Sequence, residues 1–162
     1  MQKQQVVFDK EVVRSNLMKV HELAKKPQFQ ETFGKHYNDI LRLDDVIFEE
    51  GVVGIVHYKF KIPDYMVDSN GNAHRRALLT MTDVIPYFAI LGFESRQGIS
   101  VQLSTEFLND APVDQDLLGI CRIIKLGRGN AFTDCTIINP KNNLPLVKGS
   151  LTMNFVESRH KL

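Results

Sequence analysis

Apolar positions along the chain change their period twice, and each change predicts a different element. Val13, Leu17, Val20 and Ala24 recur at helical spacing until Pro27 stops the run. Phe29, Phe33, Tyr37 and Ile40 then mark a second short amphipathic helix ending near Asp39. Leu41–Glu50 and Val52–Ile62 are rich in β-branched residues and predict a hairpin turning near Gly51. Asp68-Ser69-Asn70-Gly71 supplies turn chemistry in a loop from Pro63 to Asn72. From about Ala73 to Leu91 the polar face almost vanishes, and Ala77–Leu91 keeps only Thr80, Thr82 and Asp83. A buried helix is predicted there, kinked at Pro86. After Gly98 the period becomes two. Ile99, Val101, Leu103, Thr105 and Phe107 alternate with Ser100, Gln102, Ser104 and Glu106, as in a half-buried strand that Ala111-Pro112 ends.

Leu117–Leu126, Asn130–Asn139 and Leu146–Phe155 follow, joined by connections too short for parallel crossovers. The last of them places Val147, Leu151, Met153 and Phe155 on one face, with Gly149 among them. Two strands, one apolar helix and four strands define an α+β architecture in which an antiparallel sheet wraps the helix and buries it on several sides. The expected organisation is an N-terminal helical extension at 1–40, a sheet-and-helix domain at 41–156 and a C-terminal tail at 157–162.

Composition narrows the function classes. The 162 residues suffice for one domain with a real core. A net charge of +1, with no block of one sign, gives no reason to expect a nucleic-acid or membrane-surface partner. The longest apolar stretch, Ala77 to Phe93, is broken by Asp83 and Pro86, so no membrane span is expected. The N-terminus has neither a signal-peptide core nor a transit-peptide composition, which favours an intracellular protein. A hairpin around Gly127-Arg128-Gly129 sets Cys121 opposite Cys135, as reduced thiols packed in a core. His21, His36, His57 and His160 have no spacing that suggests a metal site or a triad.

Asp83 is the one carboxylate of the apolar helix. Nothing basic lies at helical distance, since Leu79 and Thr80 precede it and Pro86 and Tyr87 follow. Such an acid either caps the turn restarted at Pro86, pairs at a subunit interface, or takes part in chemistry.

The order strand, strand, helix, four strands resembles the hot-dog fold. The motifs resemble acyl-CoA thioesterases of the PaaI type, including the mammalian small acyl-CoA thioesterase, from roughly Leu41 to Phe155. Members typically open the central helix with His-Gly-Gly and carry an acid nine residues after the His, a separation that His74 and Asp83 keep. Gly98-Ile99-Ser100 matches the family's strand opening, and Phe107-Leu108-Asn109-Asp110-Ala111-Pro112 matches its strand ending. Gly127-Arg128-Gly129-Asn130-Ala131-Phe132 matches its Gly-basic-x-x-Ala-Phe turn. Where the family has Gly-Gly this chain has Arg75-Arg76, and the family's upstream Asn has only Asn70 and Asn72 as candidates.

The resemblance implies hydrolysis of an acyl-CoA thioester to free acid and CoA. The Arg75 amide at the helix N-terminus would polarise the carbonyl, and Asp83, from a neighbouring subunit, would act as general base or nucleophile. Ser100 would hydrogen-bond that carboxylate or its water, His74 would fix the loop entering the helix, and Asn72 would orient water or substrate. Arg76, Asn109, Gly127 and Arg128 would hold the CoA. Burial raises a carboxyl pKa, so Asp83 needs donors to stay ionised, and Ser100, Thr80 and Thr82 are the suppliers to expect. No metal or cofactor is implied, CoA being part of the substrate, and a homodimer or dimer of dimers in the cytoplasm or mitochondrion is expected. Two alternatives compete. The run Asp68 to His74 is one residue too long for a hydratase loop and lacks its Pro, and the helix has no dehydratase Glu, which disfavours enoyl-CoA hydration. The lost Gly pair supports a non-catalytic module that binds acyl-CoA or a protein.

Overall fold

The computed structural model describes residues 8–29 and 34–156. Six strands form one antiparallel sheet in the order β1-β2-β4-β5-β6-β3. They are β1 (Arg42–Ile47), β2 (Gly54–Phe60), β3 (Gly98–Phe107), β4 (Leu117–Leu126), β5 (Asn130–Asn139) and β6 (Leu144–Phe155). Helix α3 (Arg75–Leu91) packs against β2 through β6, so the sheet wraps it as the strand order predicts. Its buried side chains Leu78, Met81, Ile85 and Ala89 join Val56, Tyr58, Leu117, Ile137 and Val147 from the sheet in the main core.

The predicted helix start at Ala73 is two residues early. The Ala73 amide donates to the Ala111 carbonyl at 2.9 Å and the His74 amide to Met66 at 2.7 Å, so the chain enters the helix already tied to two loops. Helix α3 continues through Pro86, whose ring removes only the bond to the Thr82 carbonyl. Cys121 does face Cys135 across β4 and β5, both buried and free, until a bulge between Ile123 and Lys125 shifts the register.

Helix α1 (Lys10–Ala24) begins where Asp9 accepts the Val12 amide at 3.0 Å. It buries Val13 and Leu17 in the same core, each worth about 1.5–3 kcal/mol of apolar transfer. Helix α2 is shorter than the amphipathic pattern predicts, spanning Lys35–Asn38 with Tyr37 buried, and Pro27–Phe29 forms a single 3-10 turn. Phe33 lies outside the described residues. Among the described residues no helix is long and apolar enough to cross a membrane.

His21 ties α1 to α3. Its ring stacks on Phe88 with centroids 4.8 Å apart and meets the Tyr58 edge at 5.5 Å. Burial pulls its pKa below the ordinary histidine value of 6.5, with Lys25 and Arg42 adding repulsion, and burial lowers His57 in the same sense. The folded state therefore binds fewer protons than the unfolded chain. The stability that these two neutral rings contribute is fully present above about pH 6.5 and is lost progressively as pH falls below it. The melting temperature is expected to drop between pH 7.5 and 5.5, and His21→Phe to make that drop shallower in a thermal scan. An unchanged slope would remove His21 from the account.

Candidate active site

The site is assembled on one irregularity in β3. Plain alternation would put Ser100 on the face opposite Leu103, Thr105 and Phe107. The ladder to β6 breaks between Ser100 and Gln102: Ser100 pairs with Met153 and Gln102 with Thr152, which leaves Val101 as the extra residue of a bulge. Met153 and Leu151 are buried, so Ser100 and Leu103, their partners, both turn toward α3. The bulge thereby aims Ser100 at the helix.

There the Ser100 hydroxyl donates to the Asp83 carboxylate at 2.6 Å, in the short range of a charge-assisted bond. Among the described residues no cation forms an ion pair with Asp83. Two expectations need correction. Asp83 is half-buried in the single chain, because β3 lies at the sheet edge and leaves that side of α3 open. Thr80 and Thr82 do not serve the carboxylate, because their hydroxyls donate back to the carbonyls of Arg76 at 3.0 Å and Leu79 at 2.8 Å.

The second group of candidates gathers where α3 begins. Asp68 accepts the amides of Asn72 and Asn70 at 3.0 and 2.8 Å, and these bonds hold its carboxyl below the usual range. His74 caps the helix, its Nδ1 accepting the Arg76 amide at 3.1 Å. That leaves the Arg75 amide without a hydrogen bond among the described residues. The Arg75 guanidinium swings over the Phe107 ring, 5.5 Å from its centroid, and Arg76 is exposed. Helix α3 has no acid in its first turn, so the positive end of its dipole is uncompensated there. Asn72 contributes backbone bonds, and its side-chain amide has no partner among the described residues.

The expected CoA contacts fall apart into two sets. Asn109 follows β3 two residues after Phe107, the ring under Arg75, but its amide donates to the Pro145 carbonyl at 2.7 Å. Gly127 and Arg128 sit in the β4–β5 turn at the other end of α3, where the Arg128 carbonyl accepts Arg96 at 2.6 Å and its side chain is exposed. Sequence reasoning missed the bulge, the Arg75–Phe107 contact and the Thr82–Thr105 pair. The apolar Val101 inside an otherwise regular strand carried no signal for the first. Among the described residues no cluster of three His, Cys, Asp or Glu could hold a metal ion.

Residues 70–146 match the Thioesterase superfamily. This segment holds the helix and three whole strands, and the wrapped helix and strand order of residues 42–155 are those of the hot-dog fold. A Caenorhabditis elegans protein named "Putative esterase F42H10.6" is 30% identical over 94 residues, covering 57% of this chain and 56% of that protein. The match thus spans little more than half of that curated relative. Zebra fish thioesterase superfamily member 2 superposes with a TM-score of 0.66 at 22% identity, covering 91% of this chain and 95% of that one. The E. coli PaaI protein gives 0.69 at 11% identity, with 91% and 96% covered. A Streptococcus pneumoniae hypothetical thioesterase protein crystallised with coenzyme A gives 0.64 at 21% identity, with 75% and 89% covered.

Proposed function

We propose that this chain is an acyl-CoA thioesterase whose active site forms between two copies. The observation that carries this is the Ser100–Asp83 bond on the open side of a helix whose first amide, at Arg75, is unpaired. Asp83 takes a proton from water as the water oxygen adds to the thioester carbonyl carbon. The developing oxyanion is met by the Arg75 amide and the positive helix end. Collapse breaks the carbon–sulfur bond, and the thiolate recovers the proton from Asp83, leaving free acid and CoA.

One chain cannot place both groups on one carbonyl. Eight residues of helix separate Arg75 from Asp83 by about 12 Å. A second copy packed antiparallel along this stripe brings the Asp83 of one to the Arg75 of the other. Leu79 lies midway and is 39% exposed, and the β3 edge beside it leaves Ile99 57% and Val101 54% exposed. Such an apolar, unpaired edge is what a second copy covers. The same pairing sends the 127–129 turn of one copy past the helix start of the other, where it joins Arg76. That the CoA-bound Streptococcus protein shares this fold supports the CoA part of the substrate.

The test is CoA release from saturated and aryl acyl-CoAs at substrate excess, followed by chromatography. Turnover at pH 7 is expected for at least one chain class. Binding without release would favour the non-catalytic module, for which Arg75-Arg76 in place of two glycines is the supporting feature. Water addition to an enoyl-CoA with no CoA released would favour a hydratase.

A further inference from the structure

Thr82 neighbours Asp83 in sequence but turns inward, with no exposed surface. Its Oγ lies 2.8 Å from the Leu79 carbonyl and 2.8 Å from the Thr105 Oγ. A carbonyl only accepts, so the single Thr82 proton goes to Leu79, and Thr105 must be the donor in the second bond. The result is a one-way chain from β3 through Thr82 into the backbone of α3. Gly149 is the β6 partner of Thr105, and a Cβ there would stand 2.8 Å from the Thr82 Cβ. The absence of a side chain at 149 is what lets the helix come this close to the sheet.

We propose that Thr82, Thr105 and Gly149 form a buried clamp that sets the distance between α3 and β3 and so holds Asp83 on Ser100. Thr82 and Thr105 are then positioning residues for the reaction, an inference that rests on the thioesterase reading. The Ser100–Asp83 bond is solvent-exposed, and water competes for both of its partners, so it cannot by itself hold strand to helix. The Thr82–Thr105 bond joins the same strand to the adjacent helical residue from the shielded side. The bulge at Val101 puts Ser100 and Thr105 on one face although five positions separate them. A single strand can therefore serve both bonds.

Thr105→Val removes the donor at nearly constant volume, and Thr82 keeps its bond to Leu79, so no buried hydroxyl proton is stranded. The variant is expected to fold, with kcat for CoA release about tenfold lower and KM within about twofold of the parent. Thr105→Ser keeps the donor and should retain activity within about threefold. In a Ser100→Ala background Thr105→Val should cost almost nothing more, because the pair it positions is already gone. An unchanged kcat in Thr105→Val, or a full additional loss in the Ser100→Ala background, would overturn the clamp. A second readout does not depend on turnover. The Asp83 carboxyl carbon resonance should move in Thr105→Val toward its position in Ser100→Ala and stay put in Thr105→Ser; a resonance unmoved in Thr105→Val overturns the clamp. Lack of turnover in the parent protein would count against the thioesterase reading alone, and the resonance would still decide the clamp.

Discussion

Asp83→Asn is expected to lower kcat for acyl-CoA hydrolysis by about a thousandfold, within the usual range for removing a positioned general base. The change is nearly isosteric, and an amide oxygen still accepts from Ser100, so the 2.6 Å contact and the fold can persist. What disappears is the capacity to take a proton from water. Turnover at saturating substrate, read beside a thermal scan, separates the two effects. A variant that melts like the parent and hydrolyses as fast removes Asp83 from the mechanism.

Arg75→Pro is expected to lower kcat by about a hundredfold, the usual cost of one oxyanion donor. Proline is well tolerated at the first position of a helix, where its missing N–H has no intrahelical partner. His74, at φ −60° and ψ 129°, already has the extended conformation that a following proline demands. The substitution therefore deletes one N–H and spares the helix. Arg75→Ala keeps the amide and loses the contact with Phe107, so it isolates the guanidinium; near-parent activity there with loss in the proline variant assigns the role to the backbone. Mixing the two inactive proteins carries the argument to the subunit level. If Asp83 and Arg75 serve one carbonyl from different copies, half of a randomised population is mixed dimers with one intact site each. About a quarter of parental activity should then return. No recovery would place both groups in the same copy.

The architecture was legible because the elements that define it have strong periods. Leu117–Leu126 and Asn130–Asn139 form β4 and β5 with the predicted bounds, and β6 starts two residues before its predicted position. The apolar run to Leu91 made the wrapped helix plain. What escaped was set by single residues with no periodic signature. Val101 reads as one more apolar position in a strand, yet it is the extra residue that turns Ser100 toward Asp83. The apolar side chains of β3 read as a buried face, whereas the chain alone leaves Ile99 and Val101 open, because alternation reports that a face is apolar and not what covers it. Adjacency in sequence suggests Thr82 as a donor to Asp83. Helical geometry turns successive side chains by about 100°, which sends Thr82 to Thr105 instead.

The cysteine pair between β4 and β5 has a practical consequence. Neither sulfur reaches solvent, and burial pushes Cys135 up to about 12 and Cys121 well above the ordinary thiol value. Since only the thiolate attacks a disulfide dye, both are silent toward such a reagent for as long as the sheet stays packed on α3. Colour in a continuous Ellman-type measurement then comes from liberated CoA, and a slow protein-derived background becomes a gauge of global opening.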